Sequence, residues 1–181
     1  MVNKTSQQLK KQAAVCREVF INKNRDYGTS WRILRFSTFI DQIFIKATRI
    51  RNIEEGKIQL VEDDTVSEYI GIINYSVLTL IQLQLSGDRE NEIDFNAVLG
   101  IYDTCIENAL TLQEIKNHDY GEVWREMYIS SFTDIILARI LRIRNIIEND
   151  GITVASEGID SNLYDIINYS FFALIKLEEK K

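Results

Sequence analysis

Apolar residues recur at helical spacing through most of the chain. Ile40, Ile43, Phe44, Ala47 and Ile50 form one stripe and predict a helix over about 39–55. Ile136, Leu137, Ile140 and Ile143 form a second stripe, over about 132–149. Two further segments, about 67–85 and 161–180, are apolar nearly all round. The first carries Ile70, Ile72, Ile73, Val77, Leu78, Leu80 and Ile81; the second carries Ile166, Ile167, Phe171, Phe172, Leu174 and Ile175. A helix that is apolar on every face belongs in an interior, so this pair is expected side by side at the centre. Two more helices are predicted over about 6–23 and 95–116. Both run into Asp-Tyr-Gly, where Gly28 and Gly121 can adopt positive φ and stop a helix. The short stretches 57–61 and 151–155 alternate like strands and predict extended connectors or a small ribbon.

The pattern is duplicated. Asn24-Arg25-Asp26-Tyr27-Gly28-Thr29-Ser30-Trp31-Arg32 returns as Asn117-His118-Asp119-Tyr120-Gly121-Glu122-Val123-Trp124-Arg125, an offset of 93 residues (117 less 24). Half of the positions from Asn24 to Ile53 are identical to their counterparts, ending in Arg49-Ile50-Arg51-Asn52-Ile53 against Arg142-Ile143-Arg144-Asn145-Ile146. After one inserted residue, Ile72-Ile73-Asn74-Tyr75-Ser76 pairs with Ile166-Ile167-Asn168-Tyr169-Ser170 at an offset of 94 (168 less 74). Two copies are too few for a solenoid. The expected architecture is all-α, a six-helix bundle built from two three-helix repeats with a pseudo-two-fold axis. It forms one domain over 1–181, with repeat one at about 6–85, a polar linker at 86–94 and repeat two at 95–181.

Composition narrows the classes of function. The chain has no proline, where average usage gives ~9 in this length, which suits long helices. Cys16 and Cys105 are too few for a disulfide framework or a zinc site. No apolar run reaches the ~20 residues of a membrane span, and no apolar signal segment opens the chain. A cytoplasmic protein with no membrane partner is the expectation. A net charge of -6 argues against general binding to nucleic-acid backbones. His118 is the single histidine and is read as a turn residue.

The repeated polar residues are the candidates for chemistry. Tyr27 and Trp31, with Tyr120 and Trp124, either close the end of the bundle or offer flat platforms. Arg32 and Arg125 carry planar donor forks that suit phosphate or carboxylate. Lys46 and Arg49 lie three apart on one helical face, as do Arg139 and Arg142. They can hold phosphate or pair with acids of a neighbouring helix. Arg51 and Arg144 lie on another side, toward solvent. Asp41 and Asp134 fit capping boxes begun by Thr38 and Ser131, or a metal or substrate role. Thr65 and Glu68 fit another capping box. Asn74 and Asn168 interrupt central helices and are expected to be buried and hydrogen-bonded. Asp165 lies one turn before Asn168, and Gly71 stands at its place in repeat one. A buried carboxylate there must be paired, protonated or bound to a cation.

Taken together, the Lys-Asn-x-Asp-Tyr-Gly-x-x-Trp-Arg motif, the Asp41–Ile50 segment and the Ile-Ile-Asn-Tyr-Ser helix resemble the nucleotide modification associated domain family. The resemblance is to its tandem members of this length, and runs from about 15 to 177. It implies a link to nucleotide or modified-base metabolism, and carries over Asp26, Tyr27, Gly28, Trp31, Arg32, Asp41, Lys46, Arg49 and Asn74. In repeat two it carries over Asp119, Tyr120, Gly121, Trp124, Arg125, Asp134, Arg139, Arg142, Asp165 and Asn168. A looser likeness is to all-helical nucleoside triphosphate pyrophosphatases, whose Glu-x-x-Glu pair for magnesium is missing from both second helices here. The expected function is nucleotide binding, with or without phosphate-cleaving or nucleotide-modifying activity. Tyr27 and Trp31 would stack on a base. Arg32, Lys46 and Arg49 would hold phosphate, and Asp41 would bind a cation or a sugar hydroxyl. Mg2+ is the candidate cofactor, with Asp41, Asp134 and Asp165 as candidate ligands. A nucleotide is the expected small-molecule partner, and a homo-oligomer is compatible. The rival is a non-catalytic helical scaffold in which the repeated charges tie the two halves together.

Overall fold

The computed structural model describes residues 4–60, 64–85, 93–151 and 157–180. Six helices follow in order: α1 (Lys4–Tyr27), α2 (Phe36–Glu54), α3 (Thr65–Gln84), α4 (Phe95–Tyr120), α5 (Ile129–Glu148) and α6 (Ile159–Glu179). Short 3-10 turns, Ser30–Ile33 and Val123–Arg125, lead into α2 and α5. Among the described residues there is no strand. Residues 57–60 run without pairing, while 61, 152–156 and most of the 86–94 linker lie outside the described residues.

The two apolar helices lie together at the centre, as their composition requires. α3 packs on α6, α2 packs on α3, α5 packs on α6, and α2 meets α5. α1 and α4 each touch both central helices. One buried cluster runs through all six, from Leu9 and Cys16 through Ile43, Ile72 and Tyr102 to Ile140, Ile166 and Phe171. Among the described residues, α3 is the one helix long and apolar enough to cross a bilayer by length and composition. Here it is an interior helix, most of whose apolar residues are covered by its neighbours.

Helix ends show where local signals gave way to packing. Gly28 and Gly121 stop α1 and α4 at φ +57° and +67°, and their N–H groups donate to the carbonyls of Asn24 and Asn117. The expected capping boxes of α2 and α5 do not form. Both helices start earlier, after Arg35 and Tyr128, with no side-chain cap. Phe36 and Ile129 reach the core there, so Thr38 and Ser131 are already helical. α3 is capped by Asp64, whose carboxylate accepts from the Ser67 N–H at 2.8 Å, and Glu68 is left for another use.

Two ion pairs mark the pseudo-two-fold axis. Arg51 donates to Asp134 at 2.5 Å, and Arg144 donates to Asp41 at 2.7 Å. Each joins α2 to α5, and each is the image of the other at the 93-residue offset. Arg51 and Arg144 therefore bridge the repeats, contrary to the expectation of solvent. Asp41 pairs across the seam with Arg144 and not with Arg49 of its own helix.

Candidate functional site

Each repeat builds its own cavity from its own copy of the motif. In repeat one the end of α1, the Gly28 turn, the 3-10 turn, α2 and α3 enclose about 410 Å3, lined by Phe20, Lys23, Asn24, Tyr27, Trp31, Leu34, Lys46, Gly71, Asn74, Tyr75 and Leu78 among others. In repeat two about 370 Å3 is lined by Gln113, Lys116, Asn117, Tyr120, Trp124, Met127, Arg139, Asp165, Asn168, Tyr169 and Phe172, with Glu157 at the edge. These eleven residues correspond position by position across the two repeats. Tyr27 and Tyr120 stand out at the rims, 69% and 74% exposed, because each is the last residue of its helix.

The basic residues meet different acids in the two cavities. Glu68, 4% exposed, accepts from Lys46 at 3.0 Å and Arg49 at 2.7 Å. Its counterpart is Asn162, whose side-chain oxygen accepts from Arg139 at 3.3 Å. In repeat two the carboxylate has moved one turn along, to Asp165, which Lys116 reaches at 2.6 Å and Arg139 at 2.8 Å. Gly71 occupies that place in repeat one, and a Cβ there would come within 2.6 Å of Lys46 Cε. The glycine makes room for the lysine stem. It also leaves Lys23, the counterpart of Lys116, without an ion pair among the described residues.

The two asparagines part company as well. Asn74 is satisfied: Tyr102 donates to its carbonyl oxygen at 2.7 Å, and its NH2 donates to the Cys16 carbonyl at 3.1 Å. Asn168 is just as buried, yet neither amide atom has a hydrogen-bond partner among the described residues. The expectation that both would be bonded fails at Asn168. At the position corresponding to Tyr102 stands Leu9, which has no hydroxyl. A buried amide left so costs ~1–3 kcal/mol. The indole N–H groups of Trp31 and Trp124 and the NH2 of Asn24 are likewise unpartnered, and all three residues line the cavities.

The other sequence candidates are placed elsewhere. Phe172 stacks on Trp124 with ring centroids 4.3 Å apart and 4° between planes, and Arg125 lies 4.3 Å from the same ring. That indole has only its edge to offer. Trp31 meets Phe39 edge-on, with centroids 6.4 Å apart. Arg32 is buried and donates to Gln82 at 2.6 Å. Arg125 is held by Glu122, Glu179, Thr5 and Gln8 at 2.7–3.2 Å. Gln82 and its counterpart Lys176 donate to the carbonyls of Arg32 and Arg125. Neither arginine lines either of these two cavities. Arg142 is exposed, and Asp26 and Asp119 are exposed at the ends of α1 and α4. Asp41 and Asp134 lie on the α2–α5 seam, and they line neither cavity. No group of three or more acids, histidines or cysteines that could hold a metal is found among the described residues. Burial pushes the Cys16 thiol up to about 12 and the Cys105 thiol up to about 11, so neither is a thiolate nucleophile at neutral pH.

Sequence reasoning missed Lys23 and Lys116, although Lys-Asn opens the motif in both copies. It read Glu68 as a cap, because an acid in a first turn usually is one. No curated protein and no solved structure is similar enough to this chain to match. The pattern of nucleotide modification associated domain 1 matches twice, at residues 23–83 and 116–177, over the same helices that enclose the two cavities, and the chain belongs to that family.

Proposed function

We propose that the protein binds a nucleotide in the repeat-one cavity. The observation behind this reading is Lys23. It sits at the mouth of a largely apolar cavity with no ion-pair partner among the described residues, beside Lys46, an exposed tyrosine and an indole N–H without an acceptor. Lys23 meets the phosphates, Lys46 adds positive charge at the wall while it holds Glu68, Tyr27 stacks on the base, and Trp31 donates to a ring or sugar acceptor. Apolar walls with a few convergent polar groups are usual for such ligands. The family description, nucleotide modification, supports a nucleotide as the ligand. Magnesium in this reading enters with the phosphates and not on a preformed carboxylate cluster. The test is calorimetric titration with nucleoside mono- and triphosphates, with and without magnesium. Lys23→Ala with Lys46→Ala should weaken binding at least ~10-fold, and Arg142→Ala, outside the cavity, should leave it unchanged. Equal affinity in the lysine variant, or no binding by any nucleotide, rejects the site.

A scaffold role is supported by the closure of Arg32, Arg125, Arg51 and Arg144 into the protein itself. The same titration separates the readings, since a scaffold does not depend on Lys23.

A further inference from the structure

We propose that the repeat-two cavity is a second site of different chemistry, which takes an uncharged nucleobase or nucleoside read by the Asn168 amide. This goes beyond nucleotide binding in repeat one, because it stands on residues of repeat two alone.

The charge balance of the two cavities differs. In repeat two, Lys116 and Arg139 both close on Asp165, and Glu157 adds a carboxylate at the edge. No cation is left over for a phosphate, and the rim acid repels one. A neutral ligand suits that wall. The polar groups that remain without partners are the Asn168 amide oxygen, the Asn168 NH2 and the Trp124 N–H. An amide presents a donor and an acceptor side by side. That is the complement of a donor–acceptor edge on a heterocyclic base, the pairing asparagine makes with adenine. The Trp124 N–H, closed off from water in the free protein like the amide, is the third unpartnered group beside the cavity. Tyr120 at the rim supplies a face for stacking. At about 370 Å3 the cavity is of small-ligand size.

Asn168 is the decisive residue. In repeat one the equivalent amide is held by Tyr102 and Cys16 and has a structural use. In repeat two the hydroxyl is gone and the amide stays, 3% exposed. Buried polar groups without partners are rare and call for an explanation, and a ligand that completes them is one. The amide atoms are closed off from water in the free protein. The ligand therefore engages them once the side chain turns into the cavity.

The experiment is calorimetric titration of the full chain with adenosine, guanosine, cytidine, uridine and thymidine, and with their monophosphates. At least one nucleoside should bind the wild type. Asn168→Leu should weaken it ~10–100-fold, with a melting temperature equal to or above that of the wild type. The Lys23→Ala, Lys46→Ala protein should keep nucleoside binding even where it loses nucleotide binding, so the two sites can fail separately. In 15N-labelled wild-type protein, the Asn168 side-chain NH2 resonances should shift on saturation. That readout holds even if the leucine variant does not fold. The proposal is overturned if no nucleoside binds, if Asn168→Leu binds as the wild type does, if a bound nucleoside leaves those resonances in place, or if binding vanishes with the two lysines.

Discussion

Repeat one keeps its buried carboxylate at Glu68 and repeat two keeps its own at Asp165, one helical turn further along the equivalent helix. Each is 4% exposed and each is clasped by two cations. The duplication has thus preserved a local charge balance and not a residue. What differs is the cation brought in. Glu68 takes Arg49 from α2 and leaves Lys23 without an ion pair among the described residues, while Asp165 takes Lys116 from α4 and leaves Arg142 in solvent. The same fold is satisfied both ways, but among the described residues the repeat-two lining carries carboxylates, Asp165 and Glu157, that the repeat-one lining does not. A shift of one acid by one helical turn is therefore enough to change which cation each acid holds.

The largest effect should come from removing either acid. Glu68→Ala or Asp165→Ala leaves two partly buried cations facing each other and should cost ~2–4 kcal/mol in urea unfolding. Moving the acid sharpens the comparison: Glu68→Asn combined with Gly71→Asp imposes the repeat-two arrangement on repeat one. It should be more stable than Glu68→Asn alone, since only the flexible end of Lys46 must shift. No recovery in the double variant would show that the two arrangements are not interchangeable.

The asparagines come next. Asn74→Leu strands the Tyr102 hydroxyl and should cost ~1–3 kcal/mol. Asn168→Leu strands nothing and should cost nothing. Thermal unfolding of the two variants side by side checks the difference, and equal losses would contradict it.

A third asymmetry lies on the α2–α5 seam. Tyr69 and Thr133 share a hydrogen bond at 2.8 Å, and Thr133 donates to Glu54 at 2.9 Å. The counterparts are Leu163, Ile40 and Ile147, all apolar. Replacing the trio by Leu, Ile and Ile should not lower stability. Burial, the largest influence on Glu54, holds its carboxyl above the ordinary 4.5 despite the Thr133 hydrogen bond. A carboxyl raised on folding favours the folded state below its unfolded value, and that contribution is lost as pH rises through the folded value. Glu54→Gln should therefore gain on the wild type at pH 7, and the gain should fade as pH drops toward 4.5. A gain that grew on acidification would reverse the assignment.

The smallest effects belong to the paired bridges. Arg51→Ala and Arg144→Ala should each cost less than ~1 kcal/mol in urea unfolding. Arg144 should cost the more of the two, because its guanidinium also lies 4.1 Å from the Phe44 ring. A larger loss at Arg51 would break the expected order.

Much of this was legible in the residues. The stripes on α2 and α5 and the all-round apolarity of α3 and α6 dictate which faces must leave water, and hence an all-helical bundle around a central pair. The internal repeat implies two like halves, and Asp-Tyr-Gly marks two helix ends, because only glycine takes positive φ cheaply. The site was legible only in part. Tyr27, Trp31, Lys46 and Asn74, with Tyr120, Trp124, Arg139, Asp165 and Asn168, do line the cavities. Arg32, Arg125, Asp41 and Asp134 repeat just as faithfully, yet they serve the bundle itself. Repetition alone cannot separate the two uses, since both copies retain a structural contact as readily as a binding one.

The sequence by itself determined the helices, the duplication and the buried stripe of each element, since those follow from periodicity within a single segment. Tertiary structure decided the pairings: Asp41 with Arg144 and not Arg49, Glu68 with Lys46 and Arg49 and not its own helix end, Asn74 with Tyr102, and Asn168 with nothing. Each depends on which side chain of a distant helix arrives within hydrogen-bond reach, and that distance is fixed only when the helices pack.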